Sequence, residues 1–274
     1  DVRAHHQAAL MDLMLRGLRV AITGPAKGMG AAITLAFAEE GADLALFARD
    51  VAAVAPIADA ARTKGVRAEI LPCDVTDAAR VEAAVAEAET ALGGAFDVLV
   101  NVAGGSGPIG KTGVETTASE FDEIVHLNMR GPFNMIHAVA PGMIARGAGR
   151  IVNVGGTFGM RGRAMRLAYS SSKWGLRGIT KSFALELGPH GIAVNTVAPG
   201  MVDGPRFRDK VVPDVAARHG ITEDEALALH ASDYALRRIS TDRDVADAVL
   251  FLASDRARQI TGADLAVDGG WAAL

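Results

Sequence analysis

Short apolar runs alternate along the chain with longer stretches in which apolar positions recur every three or four residues. The runs near 18–23, 43–48, 67–71, 97–101, 150–154, 192–197 and 263–267 read as strands. The periodic stretches 29–40, 51–64, 77–92, 119–146, 170–188 and 242–253 read as helices. Strand–helix alternation at this spacing predicts a parallel sheet covered on both faces. Right-handed crossovers make it a doubly wound α/β domain with its ligand crevice at the C-terminal strand ends. Residues 203–235 break the alternation: Asp203-Gly-Pro-Arg-Phe-Arg-Asp-Lys210 is polar and turn-rich, and Thr222-Glu-Asp-Glu225 carries a capping signal for another helix.

Composition narrows this picture little. The 274 residues are 50% hydrophobic and 22% charged, as expected of a domain with a sizeable core. No linker interrupts the alternation, so residues 17–274 are read as one domain. Residues 1–16 are read as an N-terminal extension, of which residues 1–10, ahead of a plausible native start at Met11, are expected to be disordered or appended. A net charge of −4 gives no general pull towards nucleic acid or an anionic membrane. The single cysteine, Cys73, excludes an intrachain disulfide, and no histidine pair beyond His5-His6 has metal-ligand spacing, so no metal is expected. No apolar run spans a bilayer and no leader is legible, which points to the cytoplasm.

Two motifs carry chemistry. Thr23-Gly-Pro-Ala-Lys-Gly-Met-Gly30 lies between a strand run and a helical pattern. Strand, glycine turn and helix bring backbone N–H groups and a helix N-terminus against a pyrophosphate. Thr23, Gly24, Lys27, Gly28, Met29 and Gly30 are therefore candidate nucleotide contacts. The second motif is Tyr169-Ser-Ser-Ser-Lys173. On a helix, positions four apart share a face, so the ammonium lies near the phenol. A nearby cation lowers a tyrosine pKa from about 10 and brings the group into acid–base range.

With Asn101-Val-Ala-Gly104, Asn128, Asn195-Thr-Val-Ala-Pro-Gly200 and Val267-Asp-Gly-Gly270 in the same order, the chain resembles the short-chain dehydrogenase/reductase family. The resemblance covers residues 17 to 271. It implies a single Rossmann-type domain with a seven-stranded, mostly parallel sheet, and an NAD(P)-dependent oxidoreductase interconverting a secondary alcohol and a ketone. Tyr169 would be the acid/base, Lys173 would tune it and hold the nicotinamide ribose, and Asn128 would hold a water beside the lysine. Asp74, Val75, Asn101, Ala103, Gly104, Pro199, Gly200 and Val202 would border the cofactor, and 203–235 would be a substrate lid. At the end of the second strand an NAD site usually presents a carboxylate, but the matching residue is Ala48, followed by Arg49. Arg49 and Lys27 favour the 2′-phosphate of NADP(H). NAD(H) stays open because Asp50 lies so close. The family's assembly surfaces imply a homotetramer or a dimer.

One family residue is missing. The serine expected 13 residues before Tyr169 is Gly156. Thr157, a bound water or a polar group of the substrate would have to polarise the carbonyl instead. The alternative is a nucleotide-binding sensor or scaffold with impaired catalysis. Arg161, Arg163 and Arg206 are candidate substrate contacts and, with Arg166 and Arg208, would suit a small anionic substrate.

Overall fold

The computed structural model describes residues 12–204 and 207–273. Among these, nine strands form in chain order: β1 (Arg19–Thr23), β2 (Asp43–Ala48), β3 (Ala68–Pro72), β4 (Val98–Asn101), β5 (Gly149–Val154), β6 (Ile192–Pro199), β7 (Val202–Asp203), β8 (Ser240–Thr241) and β9 (Asp264–Val267). Seven build one sheet in the order β3-β2-β1-β4-β5-β6-β9, with every neighbouring pair parallel. The order reverses direction between β1 and β4, which opens a crevice at their C-terminal ends. β7 and β8 pair separately, Val202 with Ser240 and Asp203 with Thr241.

The helices are α1 (Gly28–Glu39), α2 (Val51–Arg62), α3 (Ala78–Leu92), α4 (Ala118–Val125), α5 (Gly131–Arg146), α6 (Leu167–Leu187), α7 (Val212–His219), α8 (Glu223–Ala231) and α9 (Asp242–Ala253). Alternate strand residues serve opposite faces. Val20, Ile22, Leu44, Leu46, Val98 and Val100 pack under α1, α2 and α9. Ala21, Ala45, Phe47, Leu99 and Ile151 pack under α3, α5 and α6. Each fully buried large side chain contributes roughly 1.5–3 kcal/mol, so the two layers hold the sheet rigidly beneath the crevice.

Helix ends follow local chemistry. Asp50 and Asp77 accept hydrogen bonds from the backbone N–H of Ala53 and Arg80, starting α2 and α3. Thr222 and Glu225 form the expected capping box of α8. α3 ends at Gly93, whose φ of +76° is the left-handed cap that glycine adopts without a Cβ penalty.

The structure differs from the sequence pattern in three places. The helix expected over 119–146 is interrupted by a π-helical turn, His126–Arg130. Pro132 has no N–H to continue the ladder there, and Asn128 is drawn inward to other partners. The folded body also starts ahead of residue 17: Leu15 is 1% exposed within the core, with Leu13 packed beside it. Residues 1–11 lie outside the described residues. The region 203–235 holds two helices, with Phe207, Val212, Ala216 and Ala226 as a small core of their own. No helix among the described residues is long and apolar enough to cross a membrane, and no cluster of His, Cys, Asp or Glu has a metal-holding arrangement.

Candidate active site

The turn between β1 and α1 depends on missing β-carbons. Gly24 has φ +66°, and a Cβ there would lie 2.9 Å from the Ala103 Cα. A Cβ on Gly30 would run into the Gly24 carbonyl oxygen. Gly28 has φ +54° and faces open space, the nearest atom to a Cβ being Asp242 Oδ1 at 3.8 Å. Thr23 Oγ1 accepts from the N–H groups of Val102 and Ala103, both at 3.0 Å, tying β1 to the loop after β4. The exposed Lys27 caps α1 without a side-chain hydrogen bond, and no acid lies in the first turn. The first-turn N–H groups therefore remain for an anionic ligand, so the turn fits a dinucleotide pyrophosphate. Met29 packs against the core beside this turn.

At the next strand end, β2 stops at Ala48. The Arg49 side chain is 75% exposed, with Nη1 4.0 Å from Asp74 Oδ2. Asp50 is engaged as the α2 cap. Asp74 Oδ1 accepts from the Thr76 N–H at 2.9 Å and the Thr76 hydroxyl at 2.8 Å. The Thr76 backbone bond, opposed by partial burial, holds its pKa below the usual carboxylate value. Val75 is buried and its carbonyl accepts from Asn134 Nδ2 at 2.9 Å.

The catalytic candidates converge. α6 carries Tyr169 and Lys173 on one face. Lys173 Nζ lies 5.8 Å from the centre of the Tyr169 ring and donates to the Val154 carbonyl at 3.0 Å. Burial disfavours its charge and lowers its pKa to about 8. Asn128, on the π-turn, accepts from the Gly105 N–H at 2.8 Å and donates to the Gly105 carbonyl at 3.0 Å and to Ser172 Oγ at 2.9 Å. Ser172 in turn donates to the Tyr169 carbonyl at 2.8 Å. Gly104 closes the cluster: a Cβ there would lie 3.0 Å from Asn128 Oδ1 and 3.7 Å from Lys173 Nζ. Below it, Asn101 donates to Asn153 Oδ1 at 2.9 Å, bracing β4 against β5.

Gly156 lies directly at the tyrosine. A Cβ on it would be 2.9 Å from the Tyr169 hydroxyl oxygen. Its φ of 164° is extended backbone, so proximity rather than conformation sets it apart. Thr157 is buried and opens a short 3-10 turn, and its hydroxyl makes no hydrogen bond among the described residues. Phe158, which the sequence did not single out, meets the Tyr169 ring edge-on at 6.1 Å and Trp271 at 5.4 Å. Guanidinium groups stack around these rings: Arg161 5.1 Å from Trp271, Arg163 6.0 Å from Phe158, and Arg166 4.8 Å from Tyr169. Arg206 lies outside the described residues. After β6, the Gly200 N–H donates to the Val267 carbonyl at 3.1 Å, and the Met201 N–H to the Tyr234 hydroxyl at 3.1 Å. Pro199 ends β6 and Val202 opens the two-residue β7–β8 pairing.

Residues 24–272 match the family model described as enoyl-(acyl carrier protein) reductase. The chain belongs to the short-chain dehydrogenase/reductase family. A short-chain dehydrogenase/reductase of Armillaria gallica is 38% identical over 256 residues, covering 91% of this chain and 94% of that one. The 3-oxoacyl-[acyl-carrier-protein] reductase FabG of Staphylococcus aureus is 33% identical over 252 residues, covering 91% and 96%. The crystal structure of an NAD+-bound xylitol dehydrogenase superposes with a TM-score of 0.86 at 28% identity, covering 94% of this chain and all of that one. As a short-chain dehydrogenase/reductase, this chain is an NAD(P)-dependent oxidoreductase acting on CH–OH and C=O groups.

Proposed function

We propose that this protein is an NADP(H)-dependent oxidoreductase interconverting a secondary alcohol and its ketone, with Tyr169 as the acid/base. The observation that carries this reading is the meeting of Tyr169, buried Lys173, Asn128 and Gly104 beside the glycine turn. A bound nicotinamide supplies or accepts the hydride. In reduction, Tyr169 protonates the forming alkoxide; in oxidation, its phenolate takes the alcohol proton. Lys173 favours the phenolate when charged, and Asn128 fixes the loop at Gly105 and the helix at Ser172, so the two halves of the site keep their spacing.

Arg49 supports NADP(H) over NAD(H). It stands at the end of β2 with an exposed guanidinium, while the adjacent carboxylate of Asp50 is held as a helix cap. The arginines of 161–166 favour a substrate bearing an anionic group. Phe133 and Trp174, with Leu185 at 81% exposure, leave apolar surface on α5 and α6 that suits a homotetramer or dimer.

The test is nucleotide absorbance during turnover of a panel of oxo acids, sugars and ketones or alcohols. We expect turnover with NADPH, reduced by about 100-fold or more in Tyr169→Phe. Silence across the panel from protein that binds NADPH would favour a sensor or scaffold.

A further inference from the structure

Two cations lie against the ring of Tyr169, and they differ in kind. Lys173 Nζ is 5.8 Å from the ring centre, buried, and bound to the Val154 carbonyl. The Arg166 guanidinium is nearer, at 4.8 Å, and lies 5.9 Å from the Phe158 ring as well. Those two rings meet edge-on at 6.1 Å, so the guanidinium sits in the corner between them. Arg166 is half-buried there, whereas Arg161 and Arg163 are exposed over Trp271 and Phe158. The local backbone sets this up. Met165 has φ +59°, a left-handed conformation that a non-glycine residue keeps only where its surroundings hold it. Arg166 follows as the N-cap of α6, its carbonyl accepting from the Ser170 N–H at 2.8 Å. Tyr169 comes three positions later, on the same side of the first turn.

We propose that Arg166 is a second cation for the acid/base, its guanidinium stabilising the Tyr169 phenolate across the ring beside Lys173. This rests on the reading of Tyr169 as the acid/base, and it deepens that reading. A cation is attracted to the face of an aromatic ring, and the attraction grows when the phenol gives up its proton. Burial disfavours the Lys173 ammonium, which loses its charge above about pH 8. A guanidinium does not titrate in that range. Arg166 therefore keeps positive charge beside the phenolate where Lys173 no longer does. The other charged groups around this cluster are Arg163, one ring away on Phe158, and Arg161 on Trp271 of the C-terminal turn; the π-turn contributes the neutral Asn128. Because it acts through Tyr169, Arg166 is a positioning residue.

The experiment is an NMR pH titration followed at the tyrosine Cζ carbon, which reports ionisation of the phenol. The chain has two tyrosines, so Tyr169→Phe assigns both signals. Burial raises the pKa of the other, Tyr234, which keeps the two titrations apart. We expect Arg166→Gln, and Arg166→Met with its apolar stem, to raise the Tyr169 midpoint by about one pH unit, and Arg166→Lys to restore most of the difference. Arg163→Gln, one ring further out, should move it by no more than roughly a third as much. A midpoint unmoved in the uncharged variants, raised equally in Arg166→Lys, or raised equally in Arg163→Gln overturns the proposal. The readout needs no turnover. A silent substrate panel with an Arg166-dependent midpoint counts against the reductase reading alone, and turnover with a midpoint indifferent to Arg166 counts against this proposal alone.

Discussion

A β-carbon at position 156 would stand 2.9 Å from the Tyr169 hydroxyl, closer than non-bonded atoms settle, so glycine there and the present position of the phenol go together. The atom in the way is the far end of a rotatable side chain, so relief is cheap for the fold and expensive for catalysis. Gly156→Ala should cost at most about 1 kcal/mol in thermal unfolding. Displacing the reacting oxygen should nevertheless lower kcat roughly tenfold, with KM less affected. A variant with unchanged kcat would show that the hydroxyl position is not constrained from this side. Lys173 gives a second residue-level expectation, in pH. Its folded pKa of about 8 lies below the ordinary 10.5, so the unfolded chain binds more protons between those values. Stability from this group therefore rises with pH across 8 to 10.5, and its burial penalty of about 3 kcal/mol is fully present below 8. Lys173→Met should accordingly stabilise the nucleotide-free protein more at pH 7 than at pH 10, measured by urea unfolding. In ketone reduction the same loss of charge should bend kcat/KM downward above about pH 8.

Among the elements, what was legible was what repeats. All seven strands of the main sheet and the glycine turn follow from apolar runs and punctuation, because burial on both faces leaves little freedom in such segments. The Tyr169/Lys173 spacing was legible for the same reason: helix geometry alone places them together. The π-turn at 126–130 was not, although Gly131-Pro132 marked it; a single period of apolar residues runs straight across it, and only Asn128's bonds to Gly105 and Ser172 reveal the cause. Phe158 and Trp271 were equally hidden. They meet from the loop after β5 and the C-terminal turn, and no local pattern ties segments so far apart. The packing of Leu13 and Leu15 was missed because the boundary was set at residue 17, just ahead of the first apolar strand run.

At the scale of the molecule, the α7–α8 segment and the body are held by different amounts of structure. The body has two apolar layers on a seven-stranded sheet. α7 and α8 share the small cluster around Phe207, Val212, Ala216 and Ala226, and the segment meets the body at the two-residue β7–β8 pairing, the Met201–Tyr234 hydrogen bond and the Leu236 N–H bond to the Gly269 carbonyl. Detaching α7 and α8 breaks few contacts, whereas exposing β1, β4 or β5 requires unfolding of nearly the whole chain. Hydrogen exchange should therefore be at least about 100-fold faster in α7 and α8 than in those three strands in the nucleotide-free protein. Exchange in α8 as slow as in β4 would show that α7 and α8 are part of the rigid body.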